Sequence, residues 1–166
     1  MKRVLSIMLF SVLGVATYAQ LPDIALKDLD GNSVRISELK NDGKPIVINF
    51  WATWCKPCVL ELNTIQDDFE EIQKETGVRF IAVSIDDSRN EPKIAPFVKS
   101  KAWPYEILLD PNEELKRSLS VQNPPHTFVI DGNGKVVWQH MGYTLGDESV
   151  LFEVLRKVAR GESVEK

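Results

Sequence analysis

Residues 46–58 read IVINFWATWCKPC and contain the strongest fold signal in the chain. The first six are apolar apart from Asn49, which is typical of a strand buried on both faces of a sheet. Cys55 and Cys58 follow that strand directly and are the only two cysteines of the 166 residues. A disulfide between positions this close restrains little of the unfolded chain. The pair is therefore suited to reactivity rather than to stabilisation.

A helix is predicted over residues 55–76, directly after the strand. Its apolar residues are three or four positions apart and form one stripe: Val59, Leu62, Ile65, Phe69 and Ile72. Gly77 is a typical helix stop. Cys55 would lie at the helix N-terminus, where unpaired N–H groups and the helix dipole stabilise a thiolate. We expect Cys55 to attack a partner disulfide and Cys58, one turn further on the same face, to resolve the intermediate.

Strands and helices alternate along the rest of the chain. Segments 24–27 and 33–36 flank an Asp-Gly turn and predict an N-terminal hairpin. A second central strand is predicted over 78–85, and a second hairpin across 127–139. A C-terminal helix begins near Asp147. This order indicates an α/β layered fold.

The residues around the cysteine pair resemble a known family. FWATWCKPC, residues 50–58, resembles the active-site strand and turn of thioredoxins. The N-terminal hairpin, Asn49 and the segment PHTFVID at 125–131 are similar to the extracytoplasmic disulfide reductases of the TlpA/ResA type. The resemblance runs from about Leu21 to Arg160. It implies a thioredoxin-like fold, a central mixed β-sheet flanked by helices with an N-terminal β-hairpin extension. It also implies an enzyme without an organic cofactor, since the dithiol itself carries two electrons.

The resemblance assigns roles to several residues near the pair. Pro125 corresponds to the cis-proline that packs opposite Cys55 and shapes the groove for a substrate strand. Lys56 and Pro57 set the shape and the potential of the loop, and Lys56 adds positive charge unless it is simply solvated. Trp54 covers the thiol loop and offers an apolar contact to partners.

Two positions depart from the family pattern. Pro124 precedes the cis-proline candidate and has no N–H to donate, so only its carbonyl could pair with a client strand. Asn63 stands where many relatives have a proline that kinks the helix. The kink is therefore in question here.

Proton handling needs a titratable group other than Asn49, which occupies the place of the buried aspartate of thioredoxins. Asp87, just after the second central strand, is the first candidate, and Glu61, one turn past Cys58, is the second. Each also has a plainer interpretation. Asp87 reads as a turn aspartate, and Glu61 as a helix residue facing solvent.

Residues 1–19 have the layout of a secretory signal peptide. Lys2 and Arg3 precede an apolar run from 4 to 15, and Thr17 and Ala19 suit a signal-peptidase site. The run is shorter than the roughly 20 residues of a membrane-spanning helix, although an uncleaved anchor is the alternative. We expect cleavage near Ala19, a thioredoxin-like domain over residues 20–166, and a periplasmic or otherwise extracytoplasmic location, where disulfides form.

The formal net charge is −4, and −6 without the two basic residues of the signal peptide. An acidic chain of this kind argues against nucleic-acid binding. The expected partners are client proteins that contain disulfides. The resemblance adds apocytochrome c as a client and a membrane protein as the electron donor, with the protein itself a monomer.

Three other functions compete with this interpretation. Cys55, Cys58, His126 and His140 are a legitimate zinc or copper ligand set, which would make a metal-binding module. A thiol peroxidase of related fold is the second, although Ala52 stands where peroxiredoxins have threonine. A chaperone that uses the groove without redox turnover is the third, and the intact Cys-Lys-Pro-Cys motif argues against it.

Overall fold

A computed structural model describes residues 21–164, so the expected signal peptide lies outside the described residues. The described strands are β1 (Ala25–Asp28), β2 (Ser33–Arg35), β3 (Ile46–Trp51), β4 (Arg79–Ser84), β5 (Glu106–Leu109), β6 (His126–Ile130) and β7 (Val136–Met141). The described α-helices are α1 (Lys56–Thr76), α2 (Ile94–Lys101), α3 (Glu114–Ser118) and α4 (Asp147–Ala159). Within 21–164, no helix has both the length and the apolar character needed to cross a bilayer.

The strands form one mixed sheet in the order β2-β1-β5-β4-β3-β6-β7. The neighbours β3, β4 and β5 are parallel, and all other pairings are antiparallel. The hairpin β1–β2 extends the sheet because Lys27 pairs with Leu109 of β5. The predicted mixed sheet with an N-terminal hairpin is confirmed.

Strand β3 lies in the centre of this sheet, and all six of its residues are buried. Its last residue, Trp51, is fully buried and contacts the rings of Trp103 and Phe97 at centroid distances of 4.9 and 5.9 Å. Helix α1 begins shortly after the C-terminal end of β3, at the edge of the sheet where the parallel strands end. That edge carries the cysteine pair.

Helix α1 is 21 residues long and ends at Gly77, whose φ of 69° is the left-handed conformation that suits glycine at a helix C-terminus. It runs without a break through Asn63, whose side chain accepts a hydrogen bond from the Trp103 indole N–H at 2.9 Å. Helix α1 is thus continuous at Asn63, the position where the resemblance would place a proline. The predicted bounds of α1 and β4 agree with the structure to within one residue.

The buried face of α1 differs from the predicted stripe at its N-terminal end. Val59 is only half-buried, whereas Cys58 and Glu61 are buried in its place. The apolar pattern could not show this, because a charged residue in a stripe normally indicates the solvent face.

Candidate active site

The cysteine pair lies at the junction of β3 and α1. Cys55 is the N-cap residue of α1 and Pro57 occupies its first turn, where a missing N–H costs no helical hydrogen bond. The two cysteines form a disulfide with Cα atoms 5.3 Å apart. Cys55 is 5% exposed and Cys58 is 0% exposed. A client can therefore reach Cys55 more readily than Cys58.

The helix N-terminus acts directly on the Cys55 sulfur. Cys55 Sγ accepts a hydrogen bond from the Cys58 backbone N–H at 3.3 Å. Such a bond, together with the helix dipole, stabilises negative charge on sulfur. The arrangement suits Cys55 as the attacking thiolate.

The residues predicted to flank the pair lie at the surface. Lys56 and Pro57 are exposed between the two cysteines, and Trp54 is 61% exposed just before them. An indole left in solvent next to a nucleophile is available for contact with another protein.

The peptide bond between Pro124 and Pro125 is cis, as the resemblance implied for Pro125. Pro125 is buried at the start of β6, and its carbonyl accepts a hydrogen bond from the Gly142 N–H at 2.8 Å. The contact joins the start of β6 to the loop that follows β7.

Glu61 lies three residues after Cys58 and is 4% exposed. Its carboxylate accepts hydrogen bonds from Asn49 Nδ2 at 2.9 Å and from Thr127 Oγ1 at 2.9 Å. Asn49 Nδ2 also donates to Thr127 Oγ1 at 2.8 Å, so the three side chains form a closed network. Burial raises the pKa of Glu61 to about 7. The solvent-facing interpretation of Glu61 is wrong, since this carboxyl is buried and titrates near neutral pH.

Asp87 has a different environment from the one expected of a proton carrier. Its carboxylate accepts hydrogen bonds from Arg89 and from Asn90, within its own turn. The bond from the Arg89 guanidinium lowers the pKa of Asp87. A carboxyl that stays ionised at neutral pH is poorly matched to proton transfer there. The structure favours Glu61 over Asp87, and the plainer turn interpretation fits Asp87.

The two histidines make separate contacts. His126 Nε2 lies 3.2 Å from Gln139 Oε1, and its ring stacks on Phe128. His140 Nε2 lies 3.3 Å from Asp147 Oδ2. Within residues 21–164, no three His, Cys, Asp or Glu side chains gather as a metal-ligand group. The four-ligand set suggested by the sequence is thus not assembled in this conformation.

The structure also shows site residues that sequence reasoning missed. Thr127 completes the Glu61 network, and Asp86, rather than Asp87, bonds to the turn before Cys55 through Thr53. A signal for the network was present, because Asn49 is a polar residue within a buried strand and buried polar groups need partners. The identity of those partners depends on the antiparallel register, in which Asn49 pairs with Thr127.

Comparison with known proteins agrees with this geometry. A family model described as the AhpC/TSA family matches residues 18–139. The chain belongs to the AhpC/TSA family. The thiol-disulfide oxidoreductase ResA of Geobacillus thermodenitrificans is one relative of this chain. The two are 32% identical over an alignment of 151 positions that covers 82% of this chain and 83% of that protein.

Solved structures place the AhpC/TSA chain among thioredoxin-like proteins. A thioredoxin-like protein of Porphyromonas gingivalis is 47% identical, with a TM-score of 0.76 over 87% of this chain and 94% of that one. A protein described as a candidate thiol:disulfide interchange protein DsbE of Chlorobium tepidum is 27% identical. Its TM-score is 0.72 over 88% of this chain and 99% of that one. The chain has a thioredoxin-like fold and is a protein thiol-disulfide oxidoreductase.

Proposed function

We propose that the chain reduces the disulfides of client proteins outside the cytoplasm through Cys55 and Cys58. The observation that carries this proposal is Glu61, a buried carboxyl one helical turn past Cys58 with a pKa raised to about 7. A reductase must deprotonate its resolving thiol while a mixed disulfide is still bound. A base that titrates near neutral pH is suited to that step.

The reaction has two displacement steps. The Cys55 thiolate attacks the client disulfide, forms a mixed disulfide with one client sulfur and releases the other as a thiolate, which takes a proton. Glu61 then accepts the proton of Cys58, whose thiolate attacks the Cys55 sulfur and releases the second client thiolate, which takes a proton from the solvent. Two electrons pass from the pair to the client, which leaves as a dithiol while the pair becomes a disulfide.

The neighbouring residues receive supporting roles in this scheme. Pro125 shapes the groove for the client strand, and Pro57 with Lys56 sets the loop between the cysteines. The exposed Trp54 gives the client an apolar contact. Because Pro124 lacks an N–H, the client strand relies on fewer backbone hydrogen bonds than in thioredoxins.

Export and reduction of the pair complete the proposal. The basic and apolar pattern of residues 1–19 supports export with cleavage after Ala19. Clients are disulfide-containing proteins such as apocytochrome c, whose haem-binding thiols must be reduced. A membrane protein that passes electrons outward re-reduces the pair, and the protein acts as a monomer.

A cysteine trap tests the client-directed reaction. Cys58→Ser leaves Cys55 able to attack but removes the resolving thiol, so we expect a client joined to Cys55 that dithiothreitol releases. The matched control is Cys55→Ser, which should capture nothing. Capture of the same proteins by both variants, or by neither, would contradict the proposed roles.

The N-terminus of the protein isolated from the extracytoplasmic fraction tests export. We expect the first residue to be Gln20, because Ala19 and Thr17 define the cleavage site. A chain that retains Met1 in the cytosolic fraction would contradict this part of the proposal.

A further inference from the structure

Asp86 is a buried carboxylate next to the active-site turn that the reaction above does not use. It is 1% exposed and lies two residues after Ser84, the last residue of β4. Its Oδ2 accepts hydrogen bonds from the Thr53 backbone N–H at 2.9 Å and from the Ser84 hydroxyl at 2.8 Å. Its Oδ1 accepts one from the Thr53 hydroxyl at 2.6 Å. Both oxygens of the carboxylate are therefore hydrogen-bonded, one of them twice.

The carboxylate of Asp86 is held by hydrogen bonds rather than by an ion pair within residues 21–164. The donors to Asp86 are all neutral, and no lysine, arginine or histidine of the described part of the chain forms an ion pair with it. A charge held by neutral donors inside a protein acts on its neighbours more strongly than a charge in water. These contacts of the Asp86 carboxylate are thus hydrogen bonds from neutral groups next to the active-site turn.

The turn that Asp86 contacts leads directly to Cys55, the proposed nucleophile. Thr53 lies two residues before Cys55, and the Cys55 N–H donates to the Ala52 carbonyl at 3.1 Å. The Ile85 N–H donates to the Trp51 carbonyl at 2.9 Å, which joins the chain before Asp86 to the end of β3. Asp86 is thus fixed from both sides against the segment 51–55.

We propose that Asp86 is a positioning residue that holds the turn of Cys55 and, through its charge, makes the cysteine pair a stronger reductant. A nearby negative charge disfavours the Cys55 thiolate and so disfavours the reduced pair. The opposite case is known, since a strongly stabilised reduced form makes DsbA an oxidant. The inference rests on the reducing function proposed above and identifies a residue that tunes it.

Asp86→Asn removes the negative charge and keeps the size and shape of the side chain. The carboxamide oxygen can accept the Thr53 N–H, while its amide donates to the Thr53 hydroxyl, which can also accept. Asp110→Asn is the matched control. Asp110 is likewise 1% exposed and follows the neighbouring strand β5, but its carboxylate accepts the N–H groups of Glu114 and Lys116 at the start of α3.

The experiment equilibrates each purified protein with glutathione and glutathione disulfide at pH 8, where a thiol at a helix N-terminus is largely ionised. Two glutathione molecules give two electrons and two hydrogens to the Cys55–Cys58 disulfide, forming the dithiol and one glutathione disulfide. Thiol trapping measures the ratio of the two protein forms. For Asp86→Asn we expect the equilibrium constant to shift about tenfold towards the dithiol, equivalent to about 30 mV. For Asp110→Asn we expect it to stay within about twofold of the wild type.

An unchanged constant in Asp86→Asn, or equal shifts in both variants, would overturn the proposal and leave Asp86 as a structural residue. Thermal unfolding shows whether each variant is folded. If Asp86→Asn does not fold, Asp86→Ser provides the same loss of charge with a smaller side chain that can still bond to Thr53. The test compares a variant with the wild type, so its outcome does not depend on the absolute potential. A wild-type potential typical of oxidants would contradict the reducing function alone.

Discussion

At the scale of single residues, Glu61 has the property that the proposed chemistry requires. Burial raises its pKa from 4.5 to about 7. Glu61→Gln can keep the three contacts, because its oxygen accepts the Asn49 amide N–H and its own amide donates to the Thr127 hydroxyl oxygen. We expect resolution of the mixed disulfide by Cys58 to slow by about 10²-fold at pH 7, the scale of a lost general base. Stopped-flow measurement of resolution from pH 6 to 8 checks this, and a variant that kept the wild-type profile would show that Glu61 takes no proton.

The same carboxyl makes stability depend on pH. Between about pH 4.5 and 7 the folded chain holds a proton on Glu61 that the unfolded chain has lost. Its contribution to stability is therefore lost as pH rises through that window, and amounts to about 3 kcal/mol. We expect Glu61→Gln to gain about that much relative to the wild type between pH 4 and 8, measured by chemical denaturation of the oxidised proteins. Glu71→Gln, an exposed position on the same helix, should show no such trend. A constant difference between Glu61→Gln and the wild type would contradict the assigned environment.

At the scale of elements, the turn between β6 and β7 packs against the loop before β3. A Cβ on Gly132 would contact the Gly43 backbone, with the Gly43 Cα only 2.6 Å away and the carbonyl oxygen also in contact. We expect Gly132→Ala to destabilise the fold by about 1–3 kcal/mol, the usual cost of overpacking. The exposed neighbour substitution Asn133→Ala should cost less than about 0.5 kcal/mol. Equal midpoints of urea unfolding for the two variants would show that this contact does not constrain the turn.

The elements also show how much of the structure can be predicted from the sequence. The stripe from Leu62 to Ile72 predicts α1, and the Asp-Gly-Asn-Gly turn predicts the β6–β7 hairpin, because both depend on residues close along the chain. The contact of Gly132 with Gly43 and the bond of Asp86 to Thr53 join segments far apart along the chain. The sequence indicates Asp87 by its position just after the second central strand, but adjacent residues at a strand end can face opposite ways. Only the fold decides which of the two carboxylates is buried.

At the scale of the whole molecule, the order of the strands brings functional residues from three neighbouring strands together at one end of the sheet. Strand β3 ends at Trp51, shortly before Cys55; β4 ends at Ser84, shortly before Asp86; and β6 begins directly after Pro125, which follows the cis bond. Helix α1 adds Cys58 and Glu61 from one face. The motif of residues 50–58 and the segment PHTFVID together predicted this fold. The coupling of Glu61, Asn49 and Thr127 could not be predicted from them, since it requires the register of β3 against β6.

The reduction potential of the Cys55–Cys58 pair in the wild-type protein tests the central claim most directly. Thiol trapping across a series of glutathione redox buffers gives its value. We predict a reversible two-electron couple at or below about −200 mV, the range of thioredoxin and the glutaredoxins. A value near −120 mV, that of an oxidant such as DsbA, would contradict the reducing direction. The absence of any reversible couple would contradict the redox function itself.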